Sequence, residues 1–211
     1  MEENIKKGTT TLGLVCKDGV ILAADRRATA GGMIVGKKTE KIQLINGDFA
    51  VTLAGTVSDA QLMVKLIKAE LKLKEIRTGR KASVKEAANL LGGMLYENIR
   101  RMSMIPGIAH FLLGGTDTSG FYLYDLFPDG SVTLVDDFIS SGSGSVFAYG
   151  VLESNYKKDM TTDEAIKLAI KAVNSALQRD TASGNGIDIV KINKDGIKKV
   201  FEQEINARIK E

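Results

Sequence analysis

Gly8-Thr9-Thr10-Thr11, directly ahead of the apolar run Leu12, Leu14, Val15 and Cys16, is the stretch of this chain best placed to do chemistry. If the Gly8–Thr9 bond is cut, Thr9 carries a hydroxyl and a free α-amine on one residue. The hydroxyl can act as a nucleophile, and an α-amine with a pKa of about 8 can take its proton near neutral pH. A threonine and its own amine are one of the general forms of an activated nucleophile. Three threonines in a row are equally what begins a β-strand, because β-branched side chains suit a pleated surface. These residues alone do not separate the two.

Other polar residues stand outside the apolar stripes and gather in loops: Asp25, Lys41, Ser143, Asp180 and Ser183. Loops at strand ends are where sites are usually built. Taken singly, Asp25 is also what ends a strand, Lys41 a solvated strand start, and Asp180 with Ser183 a turn or a cap. The run Ser140-Ser141-Gly142-Ser143-Gly144-Ser145 has the look of a phosphate-cradling loop ahead of a helix, but it lacks the lysine of such loops. Cys16 is the only cysteine, which excludes an intrachain disulfide and a cysteine-based metal cluster. His110 is the only histidine and sits beside Phe111, Leu112 and Leu113. It reads as a packed strand residue, so a Ser-His-Asp triad is not expected unless this one residue serves it. The net charge of +3 is spread over interspersed acids and bases, which argues against a nucleic-acid surface. No apolar run is long enough to span a membrane, and residues 1–8 lack a hydrophobic signal core. The expectation is a soluble, intracellular chain with no cofactor and no metal.

These residues need elements to hold them. Alternating runs at 10–16 and 20–25 flank Asp18-Gly19, a two-residue hairpin signal. Residues 25–32 read as a polar loop ending in glycine. A second hairpin, 41–45 and 49–53, surrounds Asn46-Gly47. Ser58-x-x-Gln61 looks like a capping box opening a helix that runs to Gly79, and Ser83-x-x-Glu86 opens another. Gly92-Gly93 inside that second helix is costly and suggests close packing on a neighbour. Strands return at 109–114, 121–126 and 131–136. A helix follows the Ser140–Ser145 run, and Thr161-x-x-Glu164 caps the next, with Ala165, Leu168, Ala169, Ala172, Val173 and Ala176 on one face. A last hairpin, 187–192 and 197–201, turns at Asp195-Gly196, and a polar helix closes the chain. With 211 residues, no internal repeat and no linker, one domain is the expectation. Two groups of hairpins, each followed by a helix pair, point to the α+β class: two stacked antiparallel sheets flanked by helix pairs, a four-layer αββα sandwich.

Read together, these positions resemble a proteasome β subunit of the archaeal kind. The resemblance runs through Gly8-Thr9-Thr10-Thr11, Ala24-Asp25-Arg26-Arg27, Lys41, Ala54-Gly55, Asp59-Ala60-Gln61 and Gly114-Gly115. It continues through Gly142-Ser143-Gly144-Ser145, Tyr149-Gly150-Val151-Leu152-Glu153 and Arg179-Asp180-Thr181-Ala182-Ser183-Gly184. Small departures are Ser58, where a glycine often precedes Asp59, and Ser141 in place of a common threonine. The resemblance implies an N-terminal-nucleophile hydrolase fold and a threonine endopeptidase made as an inactive zymogen. Residues 1–8 would be a propeptide removed by autocatalytic cleavage between Gly8 and Thr9, leaving 9–211 as the peptidase domain. Thr9 would be the nucleophile, Lys41 would sit beside its hydroxyl, and Asp25 would hold Lys41. Ser143, Asp180 and Ser183 would surround the Thr9 amine, and the Gly55 N–H would donate to the oxyanion. Ala28, Thr39, Leu53 and Val57 would line the pocket for the residue before the cut.

The implied partners are other β subunits in a seven-membered ring, α-subunit rings, an ATPase unfoldase acting through the α ring, and unfolded polypeptide, with no nucleic acid and no membrane. The implied location is cytoplasmic. Two alternatives stand beside this one: another N-terminal-nucleophile amidohydrolase, and a structural ring subunit without activity.

Overall fold

The computed structural model of the protein describes residues 8–104 and 106–205. Strands β1 (Thr11–Cys16) and β2 (Gly19–Asp25) form the first hairpin, followed by a short pair, β3 (Ala28–Ala30) and β4 (Met33–Gly36). Next come β5 (Ile42–Leu44), β6 (Phe49–Thr52) and the two-residue β7 (Ala54–Gly55), then helices α1 (Val57–Thr78) and α2 (Val84–Arg100). The second half repeats the plan with β8 (Ala109–Asp117), β9 (Gly120–Leu126), β10 (Val132–Val135) and β11 (Phe138–Ser141), helices α3 (Ser145–Asn155) and α4 (Thr162–Arg179), and the hairpin β12 (Gly186–Asn193) and β13 (Gly196–Glu204).

Apart from β3 and β4, which pair only with each other, the strands make two antiparallel sheets of order β11-β1-β2-β12-β13 and β10-β9-β8-β6-β5, with β7 added alongside β8. Helices α1 and α2 cover the second sheet through Ile67, Leu91 and Leu95 against Phe49, Phe111 and Leu113. Helix α4 covers the first through Ala165, Ala169, Ala172 and Val173 against Leu12, Leu14 and Ile189. Val20, Leu22 and Ile192 of one sheet meet Ala50, Leu112 and Leu123 of the other in a third apolar layer. Each fully buried leucine or phenylalanine here contributes about 1.5–3 kcal/mol. The result is the expected αββα sandwich.

Local differences have local causes. Lys17-Asp18 form the first turn and Gly19 opens β2, with Cys16 opposite Gly19. The stretch expected to be a loop folds 28–36 into the β3–β4 hairpin, whose Met33, Ile34 and Val35 are exposed, so no buried alternation marks it. Ser83 and Thr161 do form complete capping boxes. Ser58 does not: α1 begins earlier, at Val57, and the Ser58 hydroxyl donates to the Asp59 carboxylate. Gly92 is tight against Val132, while nothing crowds Gly93. Residues 202–204 extend β13 where a polar helix was expected, and the rest of that helix lies outside the described residues.

Candidate active site

The β1–β2 hairpin brings the first pieces together. Its open end pairs Thr11 with Ala24, and one step further Thr10 and Asp25 exchange contacts: the Thr10 N–H donates to Asp25 Oδ1 at 2.9 Å, and the Asp25 N–H to the Thr10 carbonyl at 3.0 Å. Thr9 is thereby held at the end of β1 beside a fully buried carboxylate. Lys41, just ahead of β5 and 4% exposed, donates from Nζ to Asp25 Oδ1 at 2.6 Å. The other carboxylate oxygen of Asp25 accepts the backbone N–H groups of Arg27 and Gly184 at 3.0 and 2.9 Å. Burial lowers the Lys41 pKa below its ordinary value, and the Asp25 charge pulls in the opposite direction.

A second chain of contacts runs from the Thr9 nitrogen. Its N–H donates to Ser143 Oγ at 3.3 Å, and Ser143 donates to Asp180 Oδ2 at 2.6 Å. Ser183 donates to the same Asp180 oxygen at 2.6 Å. That leaves the Thr10 hydroxyl as donor to Ser183 Oγ, also at 2.6 Å. Asp180 ends α4, and its Oδ1 accepts the Ala182 N–H, which folds residues 180–184 back towards β1. Glycine is required where the loop after β11 passes: a Cβ on Gly142 would lie 2.0 Å from the Thr9 carbonyl oxygen, and one on Gly144 would lie 2.0 Å from Thr10 Oγ1.

Gly8 precedes Thr9 in the intact chain. The Thr9 hydroxyl donates to the Gly8 carbonyl oxygen at 2.7 Å, and the Gly8 N–H donates to Thr29 Oγ1 at 3.1 Å. A Cβ on Gly8 would come within 1.7 Å of Ala182 Cβ, so a larger residue does not fit without movement. Thr9 and Gly8 open onto a cleft of ≈ 630 Å³. Ala28, Thr39, Leu53 and Val57 all line it, with Ala60 and Val64 of α1 behind them, and so do Lys41 and Gly55. Gly55 has φ +99°, and a Cβ there would sit 2.2 Å from the Ile108 carbonyl oxygen. Backbone strain and crowding both demand glycine at that point.

The structure therefore brings Thr9, Asp25, Lys41, Ser143, Asp180 and Ser183 into one connected network, with Gly55 and the four pocket residues in the adjoining cleft. Several participants were not singled out from sequence: Thr10, which joins the two contact chains; Thr29, which holds Gly8; and Ala182, which dictates its size. Cys16 is no competing nucleophile, since burial pushes its thiol up to about 12, with Asp18 and Glu164 adding to the effect. Among the described residues, no group of three or more His, Cys, Asp or Glu side chains is placed to hold a metal ion, and no helix is long and apolar enough to cross a membrane.

The profile of the family described as "Proteasome subunit" matches residues 5–192. The chain is 44% identical to "Proteasome subunit beta" of Ferroglobus placidus over 207 residues, covering 98% of this chain and 97% of that one. It is 44% identical to the protein of the same name from Methanothermobacter thermautotrophicus over 209 residues, 99% of this chain and 97% of the other. For the Archaeoglobus fulgidus protein, also "Proteasome subunit beta", the figures are 43% over 205 residues, with 97% and 94% covered.

Proposed function

This chain belongs to the proteasome subunit family, and from that premise we propose that it is a catalytic β subunit, a threonine endopeptidase whose nucleophile is Thr9. The observation that carries the proposal is that Thr9 lines the same cleft as the buried Lys41, whose Nζ is paired with Asp25. After cleavage of Gly8–Thr9, the Thr9 amine takes the hydroxyl proton as Oγ attacks a peptide carbonyl. Lys41 lowers the cost of negative charge on Oγ, and Gly55 N–H stabilises the tetrahedral oxyanion. The leaving amine takes the proton, and water then hydrolyses the acyl ester, restoring Thr9. Ser143, Asp180 and Ser183 hold the amine in place.

In this proposal residues 1–8 are a propeptide and 9–211 the working domain. The particle is a cytoplasmic core of seven-membered β rings between α rings, fed with unfolded polypeptide by an ATPase. Ring closure needs contacts between unlike faces of neighbouring copies. The test is to size the protein with and without a co-expressed α subunit and assay each fraction with fluorogenic peptides. Activity is expected in the large assembled fraction. Monomer alone in the presence of α subunit contradicts the assembly, and an assembled but inert particle favours a purely structural subunit.

Specificity follows from the cleft. Ala28, Leu53, Val57, Ala60 and Val64 offer apolar walls, and Glu40, the one acid among the lining residues, shares the cleft with Arg27, Lys41, Lys65 and Lys68. Cuts after large apolar residues are expected, since burying such a side chain gains about 1.5–3 kcal/mol. A survey of products from an unfolded protein checks this; a majority of cuts after Lys or Arg contradicts it.

A further inference from the structure

His110, Asp125 and Ser141 form a hydrogen-bonded array that the proposed reaction does not use. His110 Nε2 meets Asp125 Oδ1 at 2.5 Å, and His110 Nδ1 meets Ser141 Oγ at 2.7 Å. With Nε2–H donating to the Asp125 carboxylate, Nδ1 accepts a hydrogen bond from the Ser141 hydroxyl. The order of groups is that of a serine hydrolase, yet Ser141 is 4% exposed, and neither it nor His110 lines the cleft at Thr9. A second nucleophile is therefore not what the array offers.

Its position suggests another role. Leu112 and Leu123, each two residues along its strand from His110 or Asp125, lie in the layer between the sheets. His110 stands on β8 opposite Ala54 of β7, next to the pair Gly55–Ala109. Ser141 ends β11, opposite Thr11, and leads directly into Gly142 and Ser143. The array thus crosses from the sheet that presents Gly55 to the sheet that presents Ser143. On the residue opposite Ser141, the buried Thr11 Oγ1 has no hydrogen-bond partner among the described residues. Phe127 packs its ring edge-on against His110.

We propose that His110 is a positioning residue, which through Asp125 and Ser141 fixes the two halves of the Thr9 site relative to one another: Gly55 from one sheet, Gly142 and Ser143 from the other. The proposal rests on the assignment of Gly55 and Ser143 to the Thr9 reaction. Small misplacements of such groups are expensive, because the rate depends on near-attack geometry while substrate binding in the pocket does not.

The experiment compares sized, assembled particles of wild type, His110→Leu, Ser141→Ala, Ser141→Thr, the His110→Leu/Ser141→Ala double variant and Thr9→Ala on one fluorogenic peptide. His110→Leu and Ser141→Ala are each expected to lower kcat by roughly tenfold or more with KM little changed. Ser141→Thr, which keeps the hydroxyl and suits a strand, should recover most of that loss. The double variant should be no slower than the worse single one, since either change breaks the same link. Unchanged kcat in either single variant, a loss confined to KM, no recovery with threonine, or losses that multiply in the double variant would each overturn the role. A defect only in the yield of particles, with normal kcat per particle, does the same. Should Thr9→Ala particles match wild type, the assignment of the nucleophile itself fails, an outcome distinct from all of these.

Discussion

A Thr9→Ala subunit, expressed with no wild-type copy present, is expected to assemble with residues 1–8 still attached and to hydrolyse no peptide. In the intact chain the Thr9 nitrogen is locked in the Gly8–Thr9 bond, so the amine that serves as proton acceptor does not yet exist. The hydroxyl is nevertheless turned towards the bond to be cut, 2.7 Å from the Gly8 carbonyl oxygen. In the proposed self-cleavage, Oγ attacks the Gly8 carbonyl carbon, a water carries the hydroxyl proton to the Thr9 nitrogen as the C–N bond breaks, and the acyl group moves from nitrogen to oxygen. Water then hydrolyses the ester, releasing residues 1–8 and freeing the Thr9 amine. The step is intramolecular, so little orientational entropy remains to be lost. Both Gly8 contacts assist: Thr29 holds its N–H, and the lack of a Cβ lets it lie against Ala182. Alanine at position 9 removes the attacking oxygen for processing and for substrate alike. Intact-mass measurement and peptide assay check this together. The competing account is trimming of an exposed leader by other proteases. A cleanly removed leader in pure Thr9→Ala particles would establish that account and overturn self-cleavage.

Lys41→Ala is expected to reduce peptide hydrolysis by at least about a hundredfold, the scale on which a single preorganised charge-stabilising group acts, while the subunit still folds. Lys41 lies almost wholly out of water, and burial weakens its hold on its proton while Asp25, then Asp180, strengthens it. Lys41 and Thr9 line the same cleft, and in the proposed mechanism Lys41 is the cation that offsets negative charge on Oγ. Its removal leaves Asp25 with three backbone N–H donors, from Thr10, Arg27 and Gly184, which continue to satisfy the carboxylate. Near-normal turnover in assembled Lys41→Ala particles would remove the charge network from the mechanism.

Asp25 is a different case. From sequence, Asp25→Ala has the same expected outcome as Lys41→Ala, loss of turnover without unfolding. In the structure Asp25 is the shared acceptor of Lys41 and three buried or half-buried N–H groups. Alanine strands all four, and each orphaned donor costs about 1–3 kcal/mol. Asp25→Ala should therefore lose stability as well as activity, and Asp25→Asn is the cleaner probe of charge.

What sequence revealed depended on how local the signal was. The hairpins signalled by Asp18-Gly19, Asn46-Gly47 and Asp195-Gly196 and the caps at Ser83 and Thr161 rest on contacts within a few residues and were legible, although the first and last turns fall one residue earlier, at Lys17-Asp18 and Lys194-Asp195. The β3–β4 hairpin and β11 were not, because neither buries an alternating face: Met33 to Val35 are exposed, and Ser140 and Ser141 are polar residues buried by their neighbours. The site was legible only as a set. No spacing relates Thr9 to Asp180 or Ser143; they meet because α4 ends and β11 begins its loop beside the start of β1. Resemblance to a family supplied that grouping, while Thr10, Thr29 and Ala182 needed the structure. His110, read as a strand residue, is one, but its two ring nitrogens are both engaged in a way that neighbouring residues in the chain do not announce.

The central claim is that Thr9 is at once the new N-terminus and the nucleophile. Reaction of assembled wild-type particles with a small acylating β-lactone, followed by peptide mapping, tests it most directly. The account predicts that the chain begins at Thr9, that the adduct lies on the peptide starting at Thr9, and that activity falls in step with labelling. Full inactivation with the adduct on Ser141, Ser143 or any other residue, or an active particle whose chains all begin at Met1, would contradict it.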